Sequence, residues 1–90
     1  MDVQSSVLLK RFTKKVTVAG YKLSFCFNGI NTHDSVLYYV SVVDRHGKTW
    51  LFYMRYKEGE WRVSNPVNCP EWIIALEQEL SILISAHIQT

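Results

Sequence analysis

The sequence lacks most of what would make its function easy to read. It has no apolar run approaching the roughly 18–20 residues that a membrane span requires. Nor does it open on a charged segment followed by an apolar core and a small-residue cleavage site, so no secretory leader is expected. Asn-x-Ser/Thr acceptors are absent. Cysteine is scarce: Cys26 and Cys69 stand 43 residues apart and, with His33, His46 and His87, match no zinc spacing. No metal or other cofactor is therefore expected, and two reduced thiols in the cytoplasm are the default over a Cys26–Cys69 disulfide. There is no internal repeat, low-complexity tract or linker, so residues 1–90 read as a single small globular domain.

Catalytic patterns are missing too. No Gly-x-Ser-x-Gly occurs, and His33-Asp34, neighbours in a polar loop, have no partnered nucleophile. Gly47-Lys48-Thr49 echoes the end of a phosphate-binding loop, but Val42 stands where that loop needs its first Gly, and Lys48 opens a strand. Glu58 and Glu60 flank a hairpin glycine and read as a solvated turn. His46 reads as an exposed turn residue, and His87 as packed or facing the helix dipole. With no converging acid, base and nucleophile, the chain is expected not to be an enzyme, and no small-molecule ligand is inferred.

What is present is hydrophobic and aromatic. Hydrophobic residues make up 48% and charged residues 20%, which excludes a disordered tail. Aromatics reach 13%, more than a coiled coil would carry. By size scaling, the folded chain buries about two-thirds of its surface, enough for one sheet and a helix or two.

The clearest element is a helix from Pro70 to about Ile88, roughly 28 Å long. Pro70 suits a first helical position, with Cys69 or Asn68 as cap. Trp72, Ile73, Leu76, Leu80, Leu83, Ile84, His87 and Ile88 share one face, and Gln78, Ser81, Ser85 and Gln89 the other. Ile74 and Ile82 fall off the stripe and are expected to be exposed. Strands are expected at Thr13–Val18, Tyr21–Asn28, Val36–Val43, Lys48–Lys57 and Glu60–Ser64, with turns at Ala19-Gly20, Asp44–Gly47 and Glu58-Gly59. Asn28-Gly29 is expected to begin a polar loop through Ser35. Residues 1–12 are ambiguous, with a short helix holding Val7, Leu8 and Phe12 slightly preferred over an extended first strand. The result is an α+β fold: a four- to five-stranded, mostly antiparallel meander with a long C-terminal helix on one face.

One helix covers one face of a sheet. Phe25, Phe27, Trp50, Phe52 and Trp72 are the expected aromatic core. Tyr39, Leu51, Tyr53 and Arg55 form a mixed second face of the kind enriched in contact sites. That face can be covered by the N-terminal segment, pair with a protein, or hold a ligand. Charge is uneven: Lys10, Arg11, Lys14, Lys15 and Lys22 follow one another without an intervening acid. Basic residues around Phe12 suit phosphates or an anionic membrane surface, but more often form a solvated face of an edge strand.

Two functions follow. The first is a non-enzymatic interaction domain, self-associating as a homodimer or binding another protein through the second face or an edge strand, with Tyr39, Leu51, Tyr53, Arg55, Ile74 and Ile82 as its surface. The second is a single-stranded nucleic-acid-binding module using Lys10, Arg11, Lys14, Lys15, Tyr39, Tyr53 and Arg55. The order of strand meander then helix is similar to that of Whirly and PUR-type single-strand binders, a likeness of topology without a shared motif. Cys69 is expected at a helix N-terminus, a position that favours a lowered thiol pKa, but a structural or incidental cysteine is the preferred reading.

Overall fold

The structure, a computed structural model, describes residues 11–31, 36–66 and 69–89. Five strands run in the order β1 Phe12–Val18, β2 Tyr21–Asn31, β3 Val36–Val43, β4 Thr49–Lys57 and β5 Glu60–Ser64. Each pairs antiparallel with the next, giving one sheet in sequence order. Two helical pieces follow, α1 Glu71–Ile74 and α2 Glu77–Gln89. The α+β meander with a C-terminal helix is thus the observed fold.

Two of the hairpins close on two residues. Ala19 and Gly20 both have positive φ (51° and 87°), as do Glu58 and Gly59 (53° and 87°). That is the type I′ signature, whose twist matches that of the flanking strands. Glycine supplies the second position without steric cost, whereas Ala19 carries the left-handed penalty. Between β3 and β4 the longer turn places Gly47 at φ 85°.

Several expectations need correction. Asn28-Gly29 does not start a loop: β2 continues to Asn31, and Gly29, Ile30 and Asn31 pair with Tyr38, Leu37 and Val36. The long neighbouring strand supplies ladder partners that outweigh local turn propensity. Phe12 belongs to β1, paired with Phe27, and not to a helix; Val7 and Leu8 lie outside the described residues. The C-terminal helix is broken at Ala75-Leu76. There Leu76 N–H donates to the Ile73 carbonyl, a tighter i−3 bond, before the Leu76 carbonyl accepts from Leu80 N–H and α2 begins. Ile74 is half-buried against the core and not exposed. Pro70 is itself the extended residue before α1 (φ −69°, ψ 158°), with no side-chain cap. Its carbonyl accepts from Ile73 and Ile74. Cys69 therefore does not cap the helix, and Asn68 lies outside the described residues.

The core lies between one sheet face and the helices. Phe25, Phe27, Tyr38, Val40, Val42 and Met54 from the strands meet Ile73, Leu80 and Ile84 from the helices, all fully or almost fully buried. Tyr38 is the central ring, edge-on to Trp61 at 5.2 Å and to Phe27 at 6.4 Å. Tyr38 and Trp61 take the central places expected of Trp50 and Trp72, which are only half-buried. Phe12 stacks on Phe27 at 4.5 Å and on His87 at 3.9 Å, tying β1 to the end of α2.

Strand β5 is an edge of the sheet, and α2 closes it. Trp61 N–H donates to Ser81 Oγ at 2.9 Å, and Val63 N–H donates to Glu77 Oε2 at 2.7 Å. Ser81, expected on the solvent face, is accordingly buried at 8% exposure. An outward N–H row in a covered edge must find acceptors, and the helix provides them. Replacing Ser81 with Ala leaves the Trp61 N–H unmatched. We expect Ser81→Ala to cost about 1–3 kcal/mol, read in urea unfolding as a lower midpoint with an unchanged slope.

Candidate functional site

Among the described residues, nothing packs on the sheet face opposite the helices; the N-terminal segment that could cover it lies outside those residues. Strand alternation sends Phe25, Phe27, Tyr38, Val40, Phe52, Met54, Trp61 and Val63 into the core, and their neighbours to the other side. The register then sets out this open face row by row. Asn28 pairs with Tyr39, Tyr39 with Tyr53, and Tyr53 with Ser64. Next to it, Ile30 pairs with Leu37, Leu37 with Arg55, and Arg55 with Arg62. On the other side, Thr13 pairs with Cys26, Cys26 with Ser41, and Ser41 with Leu51.

At the centre, the rings of Tyr39 and Tyr53 meet at 4.9 Å and 40°. Tyr53 is 42% exposed and Leu51 55%. The sequence expectation that Tyr39, Leu51, Tyr53 and Arg55 share a surface agrees with these positions. Of the basic residues, Arg11 and Lys15 join this face: Lys15 pairs with Ser24, and Arg11 reaches Cys26. Lys14 does not, because alternation places it opposite Phe25 on the core side of the edge strand. Lys10 lies outside the described residues. Ile74 and Ile82 sit on the helices, so they share no surface with the tyrosines; Ile82 is exposed at 62%.

The register adds residues that a linear reading passes over. Lys22, paired with Thr17, Lys57, paired with Glu60, and Arg62 all stand on the open face. Among the described residues that face holds Arg11, Lys15, Lys22, Arg55, Lys57 and Arg62 against a single acid, Glu60. Glu60 is bound to Arg62 at 3.2 Å in an exposed pair of little energetic weight. The remaining described acids, Asp44, Glu58, Glu71, Glu77 and Glu79, lie in turns and on the helices. The open face is therefore strongly basic among the described residues, with Lys14, Arg45 and Lys48 lying off it. The signal was latent in the period-two pattern, but it needs the register across all five strands.

Cys26 sits within this face. Arg11 Nε donates to its Sγ at 3.2 Å, and Asn28 Nδ2 lies 3.9 Å away. Burial pushes the thiol up, but hydrogen bonds from Arg11, Thr13 and Asn28 and the Arg11 charge outweigh it and hold it below its ordinary value. At Cys69 burial alone raises the thiol, and the side chain packs against the core. Both are free thiols. Iodoacetamide at neutral pH should therefore alkylate Cys26 several-fold faster than Cys69, and Arg11→Met should slow Cys26 while leaving Cys69 unchanged, as read by peptide mass spectrometry.

The β3–β4 turn is organised by Asp44. Its Oδ1 accepts from the N–H groups of His46 and Lys48, at 2.8 and 2.9 Å, and its Oδ2 accepts from Trp50 Nε1 at 3.0 Å. The Trp50 hydrogen bond foremost, then that of Lys48, holds the carboxyl below its usual range. A depressed folded-state value stabilises the fold above the unfolded value, about 3.9, and that contribution is lost as pH falls through the folded value. The stability advantage of the native chain over Asp44→Asn should thus be flat above about pH 5 and shrink below about pH 4, as read from melting temperatures across that range.

Among the described residues no group of His, Cys, Asp and Glu is placed to hold a metal ion, and no helix is long and apolar enough to cross a membrane. Compared with known protein families, with curated proteins and with solved structures, the chain matches none.

Proposed function

We propose that this domain binds single-stranded nucleic acid across its open sheet face. The observation that carries the reading is the charge of that face: Arg11, Lys15, Lys22, Arg55, Lys57 and Arg62 surround an aromatic and aliphatic centre of Tyr39, Tyr53 and Leu51. Single strands are held by cations that follow the backbone and by rings on which bases stack, and both are arranged here on one surface. The role is binding and not catalysis, and two reduced thiols fit the cytoplasm.

The same charges weigh against the other sequence-based reading. A face-to-face homodimer through this surface would set like charges against like. Edge pairing at β5 competes with the Ser81 and Glu77 bonds, and the opposite edge strand, β1, carries Lys14 and Lys15, which discourage strand addition.

Binding of a fluorescent oligo-dT or oligo-U should weaken steeply with salt. Four phosphate contacts would lower log K by about 3 for each tenfold rise in salt. Tyr53→Ala should cost about 5- to 150-fold in affinity, the range of one stacked base, and Arg55→Ala should reduce the salt slope. Lys14→Ala, on the other side of the sheet, should change neither. Absence of binding at low salt, or equal losses for Lys14 and Arg55, overturns the reading.

A further inference from the structure

At one end of the core the half-barrel is not closed. The β1–β2 hairpin, the β3–β4 turn and the start of α1 leave a slot of about 250 Å³ between them, lined by Val18, Ala19, Tyr21, Leu23, Trp72 and the turn residues Asp44, Arg45 and His46. Its walls are core residues whose cover stops short. Val18, Leu23 and Trp72 are half-buried and pack against the core, and Tyr21 is 46% exposed. None of these groups belongs to the open sheet face, since Val18, Tyr21 and Leu23 alternate to the helix side.

The polar rim carries one carboxylate, Asp44, and one guanidinium, Arg45. Asp44 spends its carboxylate within the turn, on two backbone N–H groups and the Trp50 indole. Arg45 lies over the Tyr21 ring, its guanidinium carbon 4.9 Å from the centroid, and its Nε donates to His46 Nε2 at 3.3 Å. The ring and the imidazole thus fix the guanidinium at the mouth, and its terminal amino groups remain as donors there. A planar, positioned guanidinium is the group that recognises a carboxylate. The volume is below the roughly 300–1,000 Å³ of pockets for drug-sized ligands.

We propose that this slot is a binding site for a small aromatic carboxylate of one or two rings, with the ring between Val18, Leu23 and Trp72 and the carboxylate on Arg45. The site is separate from the nucleic-acid face and does not depend on it.

The probe is 2-naphthoate, titrated into the isotope-labelled full chain and followed through the methyl resonances of Val18 and Leu23 and the indole of Trp72. Saturable shifts confined to these groups are expected, with a Kd of about 0.1–1 mM for a ligand of this size. Neutral 2-naphthylmethanol should bind about tenfold more weakly, the loss of one charged contact. Arg45→Met, which keeps the stem over Tyr21 in an exposed turn, should bring the acid down to the alcohol. Tyr53→Ala should leave naphthoate binding unchanged, whatever it does to oligonucleotide binding. The proposal is overturned by equal binding of acid, alcohol and 2-naphthylmethylamine, by an Arg45→Met variant that binds as the native chain does, or by no saturable shift up to about 5 mM.

Discussion

The N–H groups of Trp61 and Val63 point away from the sheet, and α2 meets them with Ser81 and Glu77. This contact decides more than its two hydrogen bonds suggest. It closes one edge of the sheet, so the meander ends at β5. It also ties the helix to the side on which Tyr38, Trp61, Leu80 and Ile84 pack. The helical segments occupy that side, and among the described residues no helix covers the other side of the sheet. The open face and the half-covered slot beside Trp72 are both consequences of where that one helix is held.

The open face is built by register. Its cations come from β2, β4, β5, β1 and the residue just before β1, and no two of them are adjacent in sequence. What brings them together is that each falls on the same parity of its strand. Tyr39 and Tyr53 meet because β3 and β4 set them directly opposite, where cross-strand rings interact most strongly. Lys14 and Lys15 show the rule from the other side. They are neighbours in the chain and end on opposite faces.

Much of this fold can be read from the residues. β-branched and aromatic runs mark β3, β4 and β5, and the positive-φ turns fall where Gly20, Gly47 and Gly59 stand. The departures come where tertiary partners outweigh local preference. Asn28-Gly29 has turn chemistry but gains a full ladder from β3. Ser81 is polar by type but is drawn inward by an unmatched backbone donor. The break at Ala75-Leu76 has no Pro or Gly to announce it. Among the site residues, Tyr39, Leu51, Tyr53 and Arg55 were legible from alternation within single strands. Lys22, Lys57 and Arg62 were not, because their relation to that surface depends on pairings between strands. The lowered Cys26 thiol was not legible, since a thiol's environment is set by what crosses to it, here Arg11.

The charge of the open face also acts before any contact is made. Among the described residues, six cations on the open face and the carboxylates Glu71, Glu77 and Glu79 on the helices give the domain a charge asymmetry across the sheet. In the field of a polyanion such a body feels a torque as well as a pull. It turns sheet-first while still separated by about a Debye length, roughly 8 Å at physiological ionic strength. The helix side is turned away by the same field. On the proposed function, a surface that is a small fraction of the molecule would thus take a much larger share of encounters with a polyanion, an advantage that added salt removes.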